Sequence, residues 1–467
     1  MSLHPPILIA ETDVVTVPVR LVGPDEALEG HVGTWAAANA FTGKTGQMLL
    51  VPGHDGALSE VLFGTGTTFD PKSVRGLAAK LPGGLYWLEG LAEADGAAAA
   101  LAFLLGGYRF DRYKTRDGGE AARLVAPAGV DVEETLRIAA ACALAREMVD
   151  TPAADMGPLQ IETIAREIAE SANFPEKGGA SIAVIEGDAL LDENYPAVHA
   201  VGRAATTQRA PRVIEIGWNL TRTDLPLVAL VGKGVVFDTG GLDLKSAAGM
   251  RNMKKDMGGA AHALALARLV MQAGLGVRLV VLVAAVENAV SADAFRPGDV
   301  LSSRNGLTIE IGNTDAEGRL ILADVLTRAG EHSPDLTLDF ATLTGAARVA
   351  LGPDLPPLYT DDEALAADLL SASATTGDPL WRMPLWAGYR PSIDSEIADV
   401  RNDSAAWAQG GSITAALFLQ KFAPATGAWA HMDIFAWNSR NRPGWPEGGE
   451  AQAMRACYEM LKRRYPA

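Results

Sequence analysis

The stretch "GNTDAEGRL", residues 312–320, sets Asp315, Glu317 and Arg319 at alternate positions, directly after the apolar alternation "LTIEI" at 307–311. Side chains alternate along an extended chain and two residues span about 6.6 Å, so Asp315 and Glu317 are expected to face one way off a strand edge and share a ligand. Two carboxylates so placed call for positive charge between them. A second stretch, "KGVVFDTGGLDLKSAAGMRNMKKDMGGAAHA" at 233–263, carries Lys233, Asp238, Lys245 and Asp256 among many glycines. Glycine at this density suggests close approach of backbone to a ligand. A nucleotide loop does not fit: the glycine that Gly232-x-Gly234 requires at 237 is Phe237, and no G-x-x-x-x-G-K-[ST] occurs.

Asp238, Asp256, Asp315 and Glu317 therefore stand out together. Like charges about 4 Å apart repel by ~4 kcal/mol per pair at an effective dielectric of 20, so four converging carboxylates need cations among them. Two divalent ions balance such a set, and paired metals both activate water and polarise a substrate. Of the seven histidines only His262 comes near the pattern, at its helical margin. The site is thus hard and oxygen-dominated, open to Zn, Mn, Mg or Co. Each residue also has a plainer reading. Asp315 and Glu317 could be acids at a helix start, Asp238 a turn residue, Asp256 a helix N-cap, and Lys245, Lys254 and Lys255 solvated surface charges. Only the joint spacing favours metal.

The elements that must hold these residues follow from composition and periodicity. A chain of 467 residues, 48% hydrophobic and 21% charged, is globular and too long for one compact domain. Residues 1–130 mix short β-rich runs with an alanine-rich helix, a small N-terminal α/β domain. Residues 131–150 read as a connector helix with acids in its first turn, stopped by Pro152 and Pro158. Over 151–467 strand-like and helical runs alternate, including helices at 258–273 and 318–331. The expected fold is α/β, the larger C-terminal domain having a mixed, mostly parallel sheet covered by helices. Such sheets bind ligands beyond the carboxyl ends of their strands. The longest apolar run, "LVVLVAAV" at 279–286, is far short of the ~20 residues of a membrane helix. The start lacks a signal-peptide pattern, so the cytoplasm is expected and a membrane is not. Cys142 and Cys457 lie in helix-like contexts and suit a reduced interior. A formal charge of −17 disfavours nucleic acid as a main partner.

"VGKGVVFDTGGLDLK" (231–245), "MKKDMGGAA" (253–261) and "NTDAEGRLILADVL" (313–326), in this order, closely resemble the cytosol (leucyl) aminopeptidases, a family of two-metal exopeptidases. "RPGDV" (296–300), "ATLTGAA" (341–347), "GSITAALFL" (411–419) and "WAHMDI" (429–434) extend the resemblance over about 150–440. Two departures are visible: the amino-terminal part looks short, and "PEGGEAQAMRA" (446–456) stands where relatives often carry Gly-Arg-Pro. The resemblance implies a metal-dependent aminopeptidase that releases N-terminal residues, leucine-like ones preferred, from peptides with a free N-terminus, using a metal-bridging water. It implies one ion on Asp238, Asp315 and Glu317, and another on Lys233, Asp238, Asp256 and Glu317, Lys233 being neutral when bound. Lys245 would polarise the scissile carbonyl, and Arg319 would hold a bicarbonate acting as general base. Met253, Thr342, Leu343 and Gly345 match positions that line the first side-chain pocket and bind substrate backbone. The family also implies a homohexamer. Competing readings are a two-metal phosphoesterase, with Lys245 and Arg319 on the phosphate, and a DNA-binding or scaffold role, to which the net charge gives little support.

Overall fold

The computed structural model describes residues 8–9, 14–114, 120–172, 179–404 and 407–467. The chain divides into two compact units, Met1–Ala143 with Asn438–Glu447, and Leu144–Trp437 with Gly448–Ala467. The division falls inside the helix Val132–Asp150, and the short segment 438–447 joins the first unit.

The first unit is built on a six-stranded sheet in the order Leu8–Ile9, Ala122–Val125, Gly84–Glu89, Val17–Val22, Leu58–Gly64, Met48–Pro52. All its pairs are parallel except the last. The alanine-rich helix Gly96–Gly106 adds Ala99, Ala100 and Phe103 to a core with Val19, Phe63 and Leu124.

The second unit carries an eight-stranded sheet. Its centre is the strand Leu227–Asp238, parallel to Leu336–Ala341 on one side and to Arg278–Asn288 on the other. Ala428–Asp433 continues the parallel run beyond Leu336–Ala341, while Arg212–Trp218 and Ala180–Glu186 close the other edge antiparallel. Leu227–Asp238 is buried almost throughout, as a parallel strand covered on both faces must be. After it, the chain adds one parallel neighbour on each side, so its carboxyl end is the switch point where a crevice forms.

Helices Gly258–Ala273 and Gly318–Glu331 cover opposite faces of this strand. Ala229, Val231 and Val235 share a core with Leu320, Ile321 and Leu322, whereas Gly232, one step out of phase, faces Ala260. Gly232 and Gly259 serve the protein's own packing. A Cβ on Gly259 would lie 2.1 Å from the Phe340 carbonyl oxygen, and one on Gly232 would lie 2.7 Å from Ala260 Cα. Backbone thus rests on backbone, and the start of the helix is drawn down against the strand that carries Lys233.

A second correction concerns the opening motif. Only Thr308–Glu310 is strand, in a separate three-stranded sheet with Val300–Ser302 and Val400–Arg401. Residues 312–317 turn instead of extending, and the helix begins at Gly318.

Because the Gly259 contact is with main chain, Gly259→Ala cannot be relieved by a rotamer change. It is expected to destabilise the second unit by ~1–3 kcal/mol, as overpacking does. A thermal unfolding midpoint equal to that of the unsubstituted protein would show that helix and strand are less closely apposed.

Candidate metal centre

Lys233 and Asp238 belong to the strand Leu227–Asp238, and Lys245 to the loop beyond it. Asp256 sits in the short 3-10 helix Met253–Met257, Asp315 in the turn, and Glu317 at the residue preceding the helix Gly318–Glu331. Lys233, Asp238, Asp256, Glu317 and Arg319 are all buried. One carboxylate oxygen each from Asp238, Asp315 and Glu317 lies within 4.8 Å of the others. Asp256 joins them through Lys233, whose Nζ is 2.8 Å from Asp256 Oδ2 and 3.0 Å from Glu317 Oε1. Lys245 plays the same part on the other side, 2.8 Å from Asp238 Oδ2 and paired also with Asp315.

The plainer readings fare unevenly. Glu317 precedes its helix but makes no side-chain cap, and Met257, not Asp256, occupies the N-cap of Gly258–Ala273. Asp238 does act in a turn through one oxygen, Oδ1 accepting from the Gly240 amide at 2.8 Å, while Oδ2 faces Lys245. The surface expectation fails for Lys255, which is buried beside the Phe435 ring. His262 is structural: Nδ1 donates to the Gly258 carbonyl at 2.6 Å and Nε2 accepts from the Gln452 amide at 3.0 Å.

Hydrogen bonds, not strand geometry, aim Asp315 and Glu317. Asn402 Oδ1 accepts from the Gly312 amide at 2.9 Å and its Nδ2 donates to the Asn313 carbonyl at 2.7 Å. Asp243 Oδ2 accepts from the Thr314 amide at 2.7 Å, and the Asp243 amide donates to Thr314 Oγ1 at 2.8 Å, stitching the two motifs together. Asn288, at the end of its strand, donates through Nδ2 to Asp238 Oδ1 at 2.9 Å and to the Thr314 carbonyl at 3.1 Å. Asn288, Asn402 and Asp243 went unread in the sequence, because an isolated Asn or Asp carries no periodic signal.

Charge decides what the cluster can hold. Burial, and then the neighbouring Asp238, raise Asp315 to about 6 and Glu317 well above the usual carboxylate range. Burial also raises Asp256, against the pull of Lys233. Burial alone would depress Lys233, but Asp256, Glu317 and Asp238 outweigh it and keep the ammonium protonated; Asp238 and Asp315 do the same for Lys245. With all four carboxylates ionised against two ammoniums, the largely buried site would carry two negative charges, and the raised Asp256, Asp315 and Glu317 mark the cost of holding them without further cations. Asp256 Oδ2 meets Lys233 only as an ion pair and has no hydrogen-bond partner. An all-oxygen carboxylate set with a charge deficit fits divalent cations.

Arg319 is buried at the same place. Its Nη1 donates to the Asn402 carbonyl at 2.6 Å, its Nε has no partner, and no carboxylate among the described residues forms an ion pair with it. Burial lowers it to about 10, against Asp403 and Glu317.

The predicted substrate residues border this cluster. Thr342 Oγ1 donates to Asp256 Oδ1 at 2.8 Å, and its carbonyl accepts from Lys233 Nζ at 3.1 Å. Leu343 packs on the core, with its amide on Asp433 Oδ1 at 2.9 Å. Gly345 opens the helix Gly345–Leu351 with no other group within 4 Å of where a Cβ would stand, and Met253 is half-buried.

Comparison with known proteins identifies the family. The family profile described as cytosol aminopeptidase family, catalytic domain, matches residues 143–458, and that described as M17 aminopeptidase, N-terminal domain, matches residues 18–127. A probable cytosol aminopeptidase of Syntrophotalea carbinolica is 37% identical, over 94% of this chain and 93% of its own. The crystal structure of cytosol aminopeptidase from Coxiella burnetii superposes with a TM-score of 0.90 at 42% identity, over 98% of this chain and 99% of that one. The bottromycin maturation enzyme BotP in complex with Mn gives 0.86 at 34% identity, over 97% and 100%.

Asn288 supports two acidic side chains without being acidic itself. Groups that orient ligands in this way typically contribute 10–100-fold in metal affinity, so Asn288→Ala is expected to weaken metal binding by about that factor. Titration of the chelator-stripped protein with manganese measures it; unchanged affinity would reduce Asn288 to a packing residue.

Proposed function

The chain belongs to the cytosol aminopeptidase family and is a metal-dependent aminopeptidase, and from this premise we propose which of its residues do the work. The observation that carries the assignment is the alternation of carboxylate and ammonium at the carboxyl end of the central strand. Asp238, Asp315 and Glu317 would hold one divalent ion, and Lys233, Asp238, Asp256 and Glu317 a second. Zinc or manganese are the leading candidates, with magnesium and cobalt also compatible with the donor set; BotP was solved in complex with Mn. When bound, the ions supply Lewis acidity toward the peptide carbonyl and the attacking water.

The chain's own groups do the rest. Lys233 must give up a proton to become a ligand, and the acids around it oppose that, so occupancy at its site is expected to weaken as pH falls. Lys245 stays charged between Asp238 and Asp315 and would stabilise negative charge that develops on the carbonyl oxygen. Arg319 offers a buried guanidinium with an unused donor and, among the described residues, no carboxylate ion-paired to it, which suits a small oxyanion. We take that anion to be bicarbonate, which supplies the general base where it is bound. Met253, Thr342, Leu343 and Gly345 would border the first side-chain pocket, with leucine-like residues preferred, and a free peptide N-terminus would complete the ligand set. Residues 131–150 would connect the domains. A homohexamer and a cytoplasmic location are proposed on the family resemblance; among the described residues no helix is long and apolar enough to cross a membrane.

Chelation should abolish hydrolysis of leucine-p-nitroanilide and manganese should restore it; activity on p-nitrophenyl phosphate alone would favour the phosphoesterase reading. Glu317→Ala is expected to lower metal content and reduce the rate by at least ~10²–10³-fold, as loss of an electrostatic catalytic group does, with the fold retained. Two bound metals and more than about a tenth of the original rate would remove Glu317 from the ligand set.

Arg319→Ala should slow turnover by about 10²–10⁴-fold, the range of general-base contributions, while metal content holds. Added bicarbonate should restore activity to carbonate-depleted wild type and do little for the variant. A flat wild-type response to bicarbonate would end that part of the proposal.

A further inference from the structure

Lys255 stands one residue before Asp256 in the 3-10 helix Met253–Met257. It is 6% exposed, yet among the described residues its ammonium has neither a hydrogen-bond acceptor nor an ion-pair partner. What it meets is the ring of Phe435, whose centre is 4.8 Å from Nζ. The guanidinium of Arg348 lies 5.2 Å from the same ring centre and likewise has no carboxylate partner among the described residues. An aromatic ring against an ammonium recovers part of what it costs to bury it, and does not neutralise it.

The neighbouring acids are already committed. Asp433 Oδ1 accepts from the amides of Leu343 and Thr344 at 2.9 and 3.1 Å, and Oδ2 accepts from Thr344 Oγ1 at 2.6 Å. Asp256 is engaged by Lys233 and Thr342. A small cleft lined by Thr344, Ala347, Arg348, Pro353, Asp433 and Phe435, though not by Lys255, opens beside this ring. A buried ammonium without a counter-ion and an exposed guanidinium, both against one aromatic ring, describe a receptor for an anion.

We propose that Lys255 and Arg348, both held against the Phe435 ring, form a subsite for a carboxylate carried by the peptide substrate. The proposal rests on the reading that the peptide seats against Met253, Thr342 and Gly345. Met253 shares its short helix with Lys255, and Gly345 lies one helical turn before Arg348. The carboxylate is either the side chain of an N-terminal Asp or Glu, or a group beyond the scissile bond, such as the C-terminus of a dipeptide. A leucine-like residue would use Phe435 and Met253 as apolar wall and leave the cations unused.

The test compares kcat/KM of the manganese-loaded protein within two substrate pairs: Leu- against Asp-p-nitroanilide, and Leu-Gly-amide against Leu-Gly. In one pair the preference for the carboxylate-bearing member should fall at least about 10-fold in Lys255→Met with Arg348→Gln, chiefly through KM, as expected for loss of a charge-assisted contact. Lys255→Arg should keep most of it. Movement in the first pair places the carboxylate on the N-terminal side chain; movement in the second places it beyond the scissile bond. If neither ratio moves by more than about 2-fold in a folded, metal-loaded variant, Lys255 and Arg348 only pack against Phe435 and the subsite is wrong. If Lys255→Met does not fold, Arg348→Gln alone, at an exposed position, must shift one ratio for the proposal to stand. Failure of the unsubstituted protein to cleave any of the four substrates would instead overturn the peptide-seating reading.

Discussion

Four acidic side chains brought together in a largely buried crevice cannot all remain charged unless positive charge enters with them. At about 4 Å each pair costs ~4 kcal/mol even at an effective dielectric of 20. The chain supplies part of the answer itself, with Lys233 between Asp256 and Glu317 and Lys245 between Asp238 and Asp315. The part it does not supply is left to divalent cations, which the proposed ligand set would hold. Lys233 is a counter-ion here, and on the proposed ligand set it would become a ligand once deprotonated, so that metal and proton would compete for one place.

A site under such repulsion has to be held in place by surroundings that are themselves rigid. The carboxyl end of the central strand gives Lys233 and Asp238 fixed origins, and the glycine contact at Gly259 seats the neighbouring helix directly on the sheet. The loops are fixed by side-chain amides and hydroxyls. Asn402 closes the turn that carries Asp315, Thr314 and Asp243 bind the two motifs to each other, and Asn288 reaches from a third strand to Asp238. Of these, Asn402, Asn288 and Thr314 orient the acids without adding to the negative charge.

The same economy governs the approach to the site. Asp433 spends its oxygens on the amides and hydroxyl of the Leu343–Thr344 segment, which fixes the start of the helix Gly345–Leu351. That leaves the nearby cations Lys255 and Arg348 with an aromatic ring for company. The metal centre is short of positive charge and its flank has positive charge to spare, a polarity suited to substrates that bring an amine to one and a carboxylate to the other.

The sequence by itself determined the elements and the ingredients. Hydrophobic periodicity located the helices Gly258–Ala273 and Gly318–Glu331 and the buried central strands, because burial on a helix or in a parallel sheet is written locally. The spacing of Asp238, Asp256, Asp315 and Glu317 indicated metal, since carboxylates at that density require a cation. The part of Lys233 came only from resemblance, as nothing in a lone lysine announces a ligand. Tertiary structure decided how the acids converge: Asp315 and Glu317 meet the others through a turn clamped by Asn402, 90 residues from Gly312, and not along the strand edge that alternation suggested. It alone revealed Asn288, 50 residues from Asp238, and the burial of Lys255. The physical reason is the range of the forces read. Periodicity reports contacts with a layer, whereas an amide that orients a carboxylate, or an ammonium left beside a ring, depends on which distant residue the fold delivers next to it.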